Sequence, residues 1–212
     1  MLKSLILILF IFCSLCFAQT ETSPPKPVAQ KIDEFGTNFD GEVKMRMDNF
    51  QIALANDPSA IGYIINYGLP KEIAKRRKQL WKSIYFRKYD PQRITYIDGG
   101  FSPKINTEFW LVPSGAEPPT PQEFVEKINE FENATANVLK SPIDFFYIRL
   151  ANDPELKGYV LNYGTTKQIS VQERRIKKWI AFRRYDFSKI TFIKAGTRKT
   201  IKTEFWIEKK TP

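Results

Sequence analysis

The sequence contains no histidine, and its two cysteines, Cys13 and Cys16, both lie before residue 19. Histidine is the side chain that most often acts as a general base or metal ligand near neutral pH, so its absence argues against both roles. Cleavage of a leader at this end would also remove both cysteines, and with them any disulfide or thiol nucleophile. We therefore expect no enzymatic activity, no metal site and no cofactor.

The chain after residue 18 contains no long apolar run, and no segment of it is apolar enough to cross a bilayer. The leader itself has Lys3, then an apolar stretch from Leu5 to Phe12, and it ends in Cys16-Phe17-Ala18, with small residues where signal peptidase needs them. That order is typical of a secretory signal peptide, and we expect cleavage after residue 18. The remaining chain would then be periplasmic or secreted, without a membrane span. Lipid modification of Cys16 is the minor alternative.

Positive charge is in excess, with 33 Lys and Arg against 23 Asp and Glu, for a net charge of +10. Such a balance favours anionic polymers or membrane surfaces as partners, or it serves solubility alone. Nucleic acid is not expected, because the chain is predicted to be exported and contains no recognised nucleic-acid-binding module.

An internal repeat organises the sequence. The tripeptide Asn56–Pro58 recurs as Asn152–Pro154, an offset of 96, and the same offset relates residues 107–110 to residues 203–206. The register holds without insertion or deletion from Lys31 onward, which indicates a duplicated domain.

Two proline-rich stretches flank the copies and predict semi-rigid extended spacers. We therefore expect a linker at residues 19–30, a first copy at 31–113, a second linker at 114–122 and a second copy at 123–210.

Apolar spacing in each copy predicts two amphipathic helices. The first carries a stripe that begins at Val43 and Leu139, and in the second copy Ser141-Pro142 resembles a helix start. The second helix is expected over residues 71–88 and 167–184, with Trp81 on its apolar stripe in the first copy.

Short β-type runs surround these helices. The segment before the first helix fits either a strand or a helix, and we favour a strand. The predicted order is β-α-β-α-β-β, an α+β fold in which two tandem two-layer domains each have a mixed sheet with helices on one face.

This order resembles the OmpA-like family, the C-terminal domains of outer membrane protein A. The resemblance covers nearly all of each copy, from Ile32–Phe35 through Asn56–Pro58 and the Arg-rich second helix to the strand with Thr107–Phe109. It implies non-covalent binding of peptidoglycan in the bacterial cell envelope, with a loop aspartate and a helix arginine that grip diaminopimelate.

Neither loop after the second strand contains an acid in this chain. The position of the family arginine falls on Arg77 in the first copy and on Glu173, beside Arg174, in the second. The spacing of Arg77 from Ile73 and Leu80 predicts that it lies on the inward stripe. It would contact a ligand anion there, or pair internally with Glu72 or Glu108.

Further candidate ligand-binding residues lie where the second strand meets the second helix. They are Asn66, Tyr67, Lys71, Asn162, Tyr163 and Lys167. For the repeated Asn-Tyr-Gly we favour the alternative, which is turn chemistry.

The last strand supplies a candidate interaction surface on the side away from the helices: Glu108, Trp110, Glu204 and Trp206. These tryptophans would form an aromatic platform or cover the open sheet face where the domains meet. We expect the partner to be peptidoglycan or another anionic envelope polymer. The alternative is a protein-interaction scaffold whose partner is an envelope protein.

Overall fold

The computed structural model describes residues 26–209, so the predicted signal peptide and the first part of the predicted linker 19–30 lie outside it. The predicted α+β fold is confirmed, with two mixed sheets of four strands each.

Each copy has the same order of elements. In the first copy they are β1 Gln30–Phe35, α1 Asp40–Asn56, β2 Ile61–Tyr67, α2 Pro70–Arg87, β3 Ile94–Gly100 and β4 Asn106–Val112. In the second copy they are β5 Val125–Glu132, α3 Ala136–Ala151, β6 Gly158–Tyr163, α4 Thr166–Arg183, β7 Ile190–Gly196 and β8 Lys202–Glu208. The segment before each first helix is a strand, as we favoured.

The sheet order is β1-β4-β2-β3 in the first copy and β5-β8-β6-β7 in the second. The β2–β3 and β6–β7 pairs are parallel, and the other pairs are antiparallel. The closing strand of each copy therefore lies inside its sheet, between the first and second strands.

The helices of each copy cover one face of its sheet and enclose an apolar core. Phe109 stacks on Phe50 at 4.6 Å between ring centroids, and Phe205 contacts Phe146 at 5.2 Å in the second copy. All four side chains are at most 2% exposed. The repeat thus preserves the central contact between sheet and first helix.

Two details of the helix predictions were wrong. Pro142 lies inside α3, which begins at Ala136, because the buried Leu139 keeps the preceding turn helical despite the hydrogen bond that proline cannot make. Trp81 is 47% exposed, because the inward stripe of α2 runs through Leu80 and Ile84 on the neighbouring side.

The predicted spacer 114–122 packs against the first sheet on the face opposite the helices. Pro119 is buried, the backbone N–H of Gln122 donates to the Tyr67 hydroxyl at 3.0 Å, and Phe124 meets the Tyr67 ring edge-on at 5.0 Å. The chain between the copies thus covers part of a sheet face that would otherwise be exposed.

The open face of the second sheet is covered by the first copy. Leu69 and Phe101, which follow β2 and β3, join an apolar cluster with Leu161 and Ala195. The Phe101 ring lies 6.0 Å from that of Tyr159 and 5.2 Å from that of Trp206. One end of the first sheet therefore packs against the open face of the second sheet.

The two apolar side chains that dock are present in the first copy only. At the offset of 96, Leu69 corresponds to Thr165 and Phe101 corresponds to the exposed Thr197. Polar threonines thus replace the two apolar side chains that dock.

We expect Phe101→Thr, which gives the first copy the residue of the second, to weaken the interdomain contact and lower the free energy of unfolding by about 1–3 kcal/mol. Protease cleavage within residues 114–122 should become faster, because opening of the interface frees the segment. Thr197→Ala is the matched control and should change neither property. Unchanged cleavage in Phe101→Thr would show that the contact does not hold the copies together.

Candidate functional site

The open face of the first sheet holds a buried carboxylate. Glu108 is 2% exposed and accepts hydrogen bonds from Lys31 Nζ at 2.9 Å, Trp110 Nε1 at 2.9 Å and the Tyr67 hydroxyl at 3.2 Å. Since β4 lies between β1 and β2, the topology itself brings these groups together. A charged group this deep needs such partners to offset its loss of hydration.

The second copy repeats this arrangement around Glu204, which is 6% exposed. Its donors are Lys202 Nζ at 2.8 Å, Trp206 Nε1 at 2.9 Å and the Tyr163 hydroxyl at 3.4 Å, while Lys127 Nζ lies 4.0 Å away. The lysine on the first strand has thus been largely replaced by one on the last strand.

The tyrosines of both clusters stay protonated at physiological pH. Burial raises the pKa of Tyr67 to about 12, and it does the same for the pKa of Tyr163. Each phenol therefore acts as a hydrogen-bond donor to its carboxylate, and neither is available as a base.

The tryptophans of the candidate interaction surface are engaged within the chain. Lys31 Nζ lies 5.4 Å from the Trp110 ring, and Trp206 lies where the two copies meet. Together with the burial of Glu108 and Glu204, this leaves little of that surface open to a partner.

Asn66 and Asn162 lie on the opposite, helix-covered face and are fully buried. Asn66 Oδ1 accepts from the Thr107 hydroxyl at 2.9 Å, and Asn162 Oδ1 accepts from that of Thr203 at 2.7 Å. The positive backbone angle of the following turn belongs to the glycine, with φ of 148° at Gly68. These asparagines therefore cross-link neighbouring strands.

The inward arginine of α2 is Arg76, and the prediction that Arg77 lies on the inward stripe was wrong. Arg76 is 5% exposed and donates to Thr107 Oγ1 at 2.9 Å and to the Gly36 carbonyl at 2.7 Å. Its counterpart in the second copy is Gln172. Arg77 is exposed, because adjacent helical residues point about 100° apart.

Arg77 instead lines a groove of about 660 Å³ between α2 and β3, which we call the α2–β3 groove. Its guanidinium carbon lies 5.3 Å from the centroid of the Tyr96 ring. Asp98 and Trp81 line the same groove. Among residues 26–209, neither Arg77 nor Asp98 forms an ion pair, although Asp98 Oδ1 accepts from the N–H of Gly100 at 3.0 Å.

Tyr96 lines the groove, while its hydroxyl is buried. Burial raises the pKa of Tyr96 well above its usual value, and within the described part of the chain its hydroxyl has no hydrogen-bond partner. The α2–β3 groove thus combines a cation, an anion and two aromatic rings.

The equivalent positions in the second copy carry the opposite charges. Arg77 corresponds to Glu173 and Asp98 to Lys194. There Glu173 pairs with Lys177 at 3.5 Å, and Lys177 Nζ lies 4.6 Å from the centroid of the Phe192 ring. Glu173, which takes the place of the unpaired Arg77, is therefore offset by a lysine of its own helix.

No family model and no curated protein matches this chain. Among the described residues, no group of His, Cys, Asp and Glu side chains is arranged so that it could hold a metal ion. No helix there has both the length and the apolar character that a membrane crossing requires.

The remaining predicted site residues are exposed and lie apart from this groove. Lys71 Nζ donates to the Lys194 carbonyl at 3.3 Å, which adds to the contact between copies, while Lys167 and Arg174 form no ion pair within residues 26–209. The predicted set therefore does not form one site.

Asp98 and Tyr96 were not predicted as site residues. One signal in the sequence could have found Asp98. At the offset of 96, the positive Arg77 corresponds to the negative Glu173, and the negative Asp98 corresponds to the positive Lys194. Two positions whose charges reverse together between the copies are expected to lie near each other.

We expect Glu108→Gln to lower the free energy of unfolding by about 2 kcal/mol. The carboxylate accepts three hydrogen bonds on two oxygens, whereas an amide has only one oxygen that can accept, so at least one buried donor loses its partner. Glu204→Gln should behave alike, since its side chain is buried among the same kinds of donor. Urea denaturation of both variants and of Glu155→Gln, an exposed control, tests this. A stability change no larger than that of the control would contradict the structural role of the carboxylates.

The ionisation of Glu130 makes the stability of the fold depend on pH. Hydrogen bonds from Lys127 and then Lys202 lower the pKa of Glu130 from 4.5 to about 2. Its contribution to stability is thus present above the unfolded-state pKa and is lost as the pH falls from 4.5 toward 2.

At neutral pH, Glu130→Gln should cost less than about 1 kcal/mol, because solvent screens this partly exposed pair. The difference from wild type should shrink on acidification, as followed by urea denaturation at about pH 7 and about pH 3. A difference that stayed constant over this range would argue that the charge of Glu130 does not stabilise the fold.

Proposed function

We propose that this chain is an exported, non-catalytic binding module of the bacterial cell envelope, and that the α2–β3 groove of its first copy holds the ligand. The observation that carries the proposal is the presence of Arg77 and Asp98 in one groove, without ion-pair partners in the described residues. Periplasmic or secreted location is supported by the apolar leader of the sequence and by the resemblance to OmpA-like domains.

The groove suits a ligand that carries both charges. A guanidinium binds a carboxylate through two parallel hydrogen bonds, and the carboxylate of Asp98 can accept from an ammonium. The rings of Trp81 and Tyr96 provide apolar surface for the carbon chain between these ends. Diaminopimelate in a peptidoglycan stem peptide offers an ammonium and a carboxylate together, so peptidoglycan is the ligand that we favour.

Asp98 would take the place of the acid that the loops after β2 and β6 lack. The loop aspartate of the OmpA-like pattern is absent here, but Asp98 stands on the neighbouring parallel strand, where Asn66 pairs with it in register. The acid is therefore displaced by one strand, and the base remains on the second helix.

The alternative, an extracytoplasmic scaffold that binds proteins through tryptophan-bearing sheet faces, has less support. Trp206 packs against Phe101, and the carboxylates beside both tryptophans are buried. A partner would first have to displace contacts within the chain.

Sedimentation with purified sacculi that contain diaminopimelate tests the proposal, using the chain from residue 19, which retains every described element. We expect retention by wild type, and a roughly ten-fold or greater loss in Arg77→Ala and in Asp98→Asn, since each removes one charge-assisted contact. Free diaminopimelate should compete.

Arg174→Ala is the matched control, because Arg174 is an exposed arginine on the corresponding helix of the second copy. It should leave retention unchanged. Absence of retention by wild type, or full retention by Arg77→Ala, would reject the proposal.

A further inference from the structure

A second surface of the first copy lies on the outer side of α2, beside the α2–β3 groove. It is a cleft of about 1140 Å³ whose lining includes Trp81, Tyr85, Phe86 and the lysines Lys44, Lys75, Lys78, Lys82 and Lys88. We call it the basic aromatic face. The binding proposed for the α2–β3 groove does not involve this face, although Lys78 and Trp81 line both surfaces.

The aromatic side chains of this face are unusually open to solvent. Tyr85 is 84% exposed, Phe86 is 81% exposed and Trp81 is 47% exposed. They occupy the last two turns of α2, and folding leaves their apolar area in water. Contiguous exposed apolar surface of this kind marks an interaction site.

The charge of the face is almost entirely of one sign. None of its five lysines forms an ion pair within residues 26–209, while Arg87 is paired with Asp48 at 2.9 Å. The single lining acid, Asp40, accepts a hydrogen bond from Gln79. The surface therefore attracts an anionic partner that also accepts apolar rings.

We propose that the basic aromatic face docks the protein on a phospholipid bilayer that contains anionic headgroups. Aromatic rings favour the boundary between headgroups and acyl chains, and lysines that extend from apolar stems reach the phosphates. Each lysine near an anionic surface adds to the attraction.

A bilayer fits the arrangement of the rings better than a polynucleotide does. Tyr85 and Phe86 are consecutive residues of a helix, so their side chains point about 100° apart and cannot form one flat stacking platform. Entry into a fluid interface requires no fixed ring orientation, whereas each stacked base must meet a ring face-on along the path of the strand.

Vesicle sedimentation tests the proposal with the chain from residue 19, since an intact apolar leader would itself bind lipid. Wild type should bind phosphatidylcholine vesicles that contain about a quarter phosphatidylglycerol, and should not bind phosphatidylcholine alone. Binding should be lost in about 1 M NaCl, where the screening length is about 3 Å.

Two variants remove the two contributions separately. The double variant Tyr85→Ala, Phe86→Ala should bind about ten-fold or more weakly, because it deletes the inserted rings. The double variant Lys44→Glu, Lys82→Glu should lose at least as much, because it reverses two charges near the surface. The residues changed in both variants lie outside the α2–β3 groove, so retention on sacculi should be unaffected.

Phe182→Ala is the matched control. Phe182 is 72% exposed and corresponds to Phe86, but alanine replaces Tyr85 beside it and Lys177 replaces Trp81. This variant should bind vesicles as wild type does, and an equal loss would overturn the assignment to the first copy. Failure of wild type to bind the anionic vesicles, or its preference for a single-stranded polynucleotide, would overturn the lipid assignment itself.

Discussion

The need to cover the second face of each small sheet governs how this chain is built. The helices of a copy cover only one face, yet Ile65 and Leu161 on the other face are fully buried. A domain of this size has no further elements with which to cover them. The spacer between the copies covers part of the first sheet, and the first copy itself packs on the second sheet, so the two copies are held together by packing as well as by the chain.

This constraint also explains why the two copies diverged where they did. Leu69 and Phe101 had to be apolar only in the copy that docks, and threonines stand at the corresponding positions of the other. The buried carboxylates kept their tyrosine and tryptophan donors in both copies, because each must be satisfied beneath whatever covers it. The docking positions thus differ between the copies, while the tyrosine and tryptophan donors are shared.

The strands and helices of the fold could be predicted from the sequence because each one occurs in both copies. The offset of 96 tested every strand and helix against a second example, and the period of two placed Phe109 and Trp110 on opposite faces correctly. The choice between Arg76 and Arg77 could not be made from spacing alone, because neighbouring positions flank the same stripe. The inward position is the one whose guanidinium reaches Thr107 and the Gly36 carbonyl, and these acceptors are distant in sequence. Composition likewise predicted an extended spacer, but it contained no information about the face on which Pro119 would be buried.

The two surfaces of α2 are physically linked through the residues that they share. Trp81 packs near Tyr96 at 6.3 Å between ring centroids on the groove side, and it also lines the basic aromatic face. A bilayer that took up the Trp81 ring would draw it away from Tyr96 and widen the groove, so lipid would alter the affinity for the groove ligand. By thermodynamic reciprocity, a ligand that held the ring in the groove would weaken the bilayer contact by the same factor. The second copy has no such link, because Lys177 stands at the position of Trp81 and is paired with Glu173.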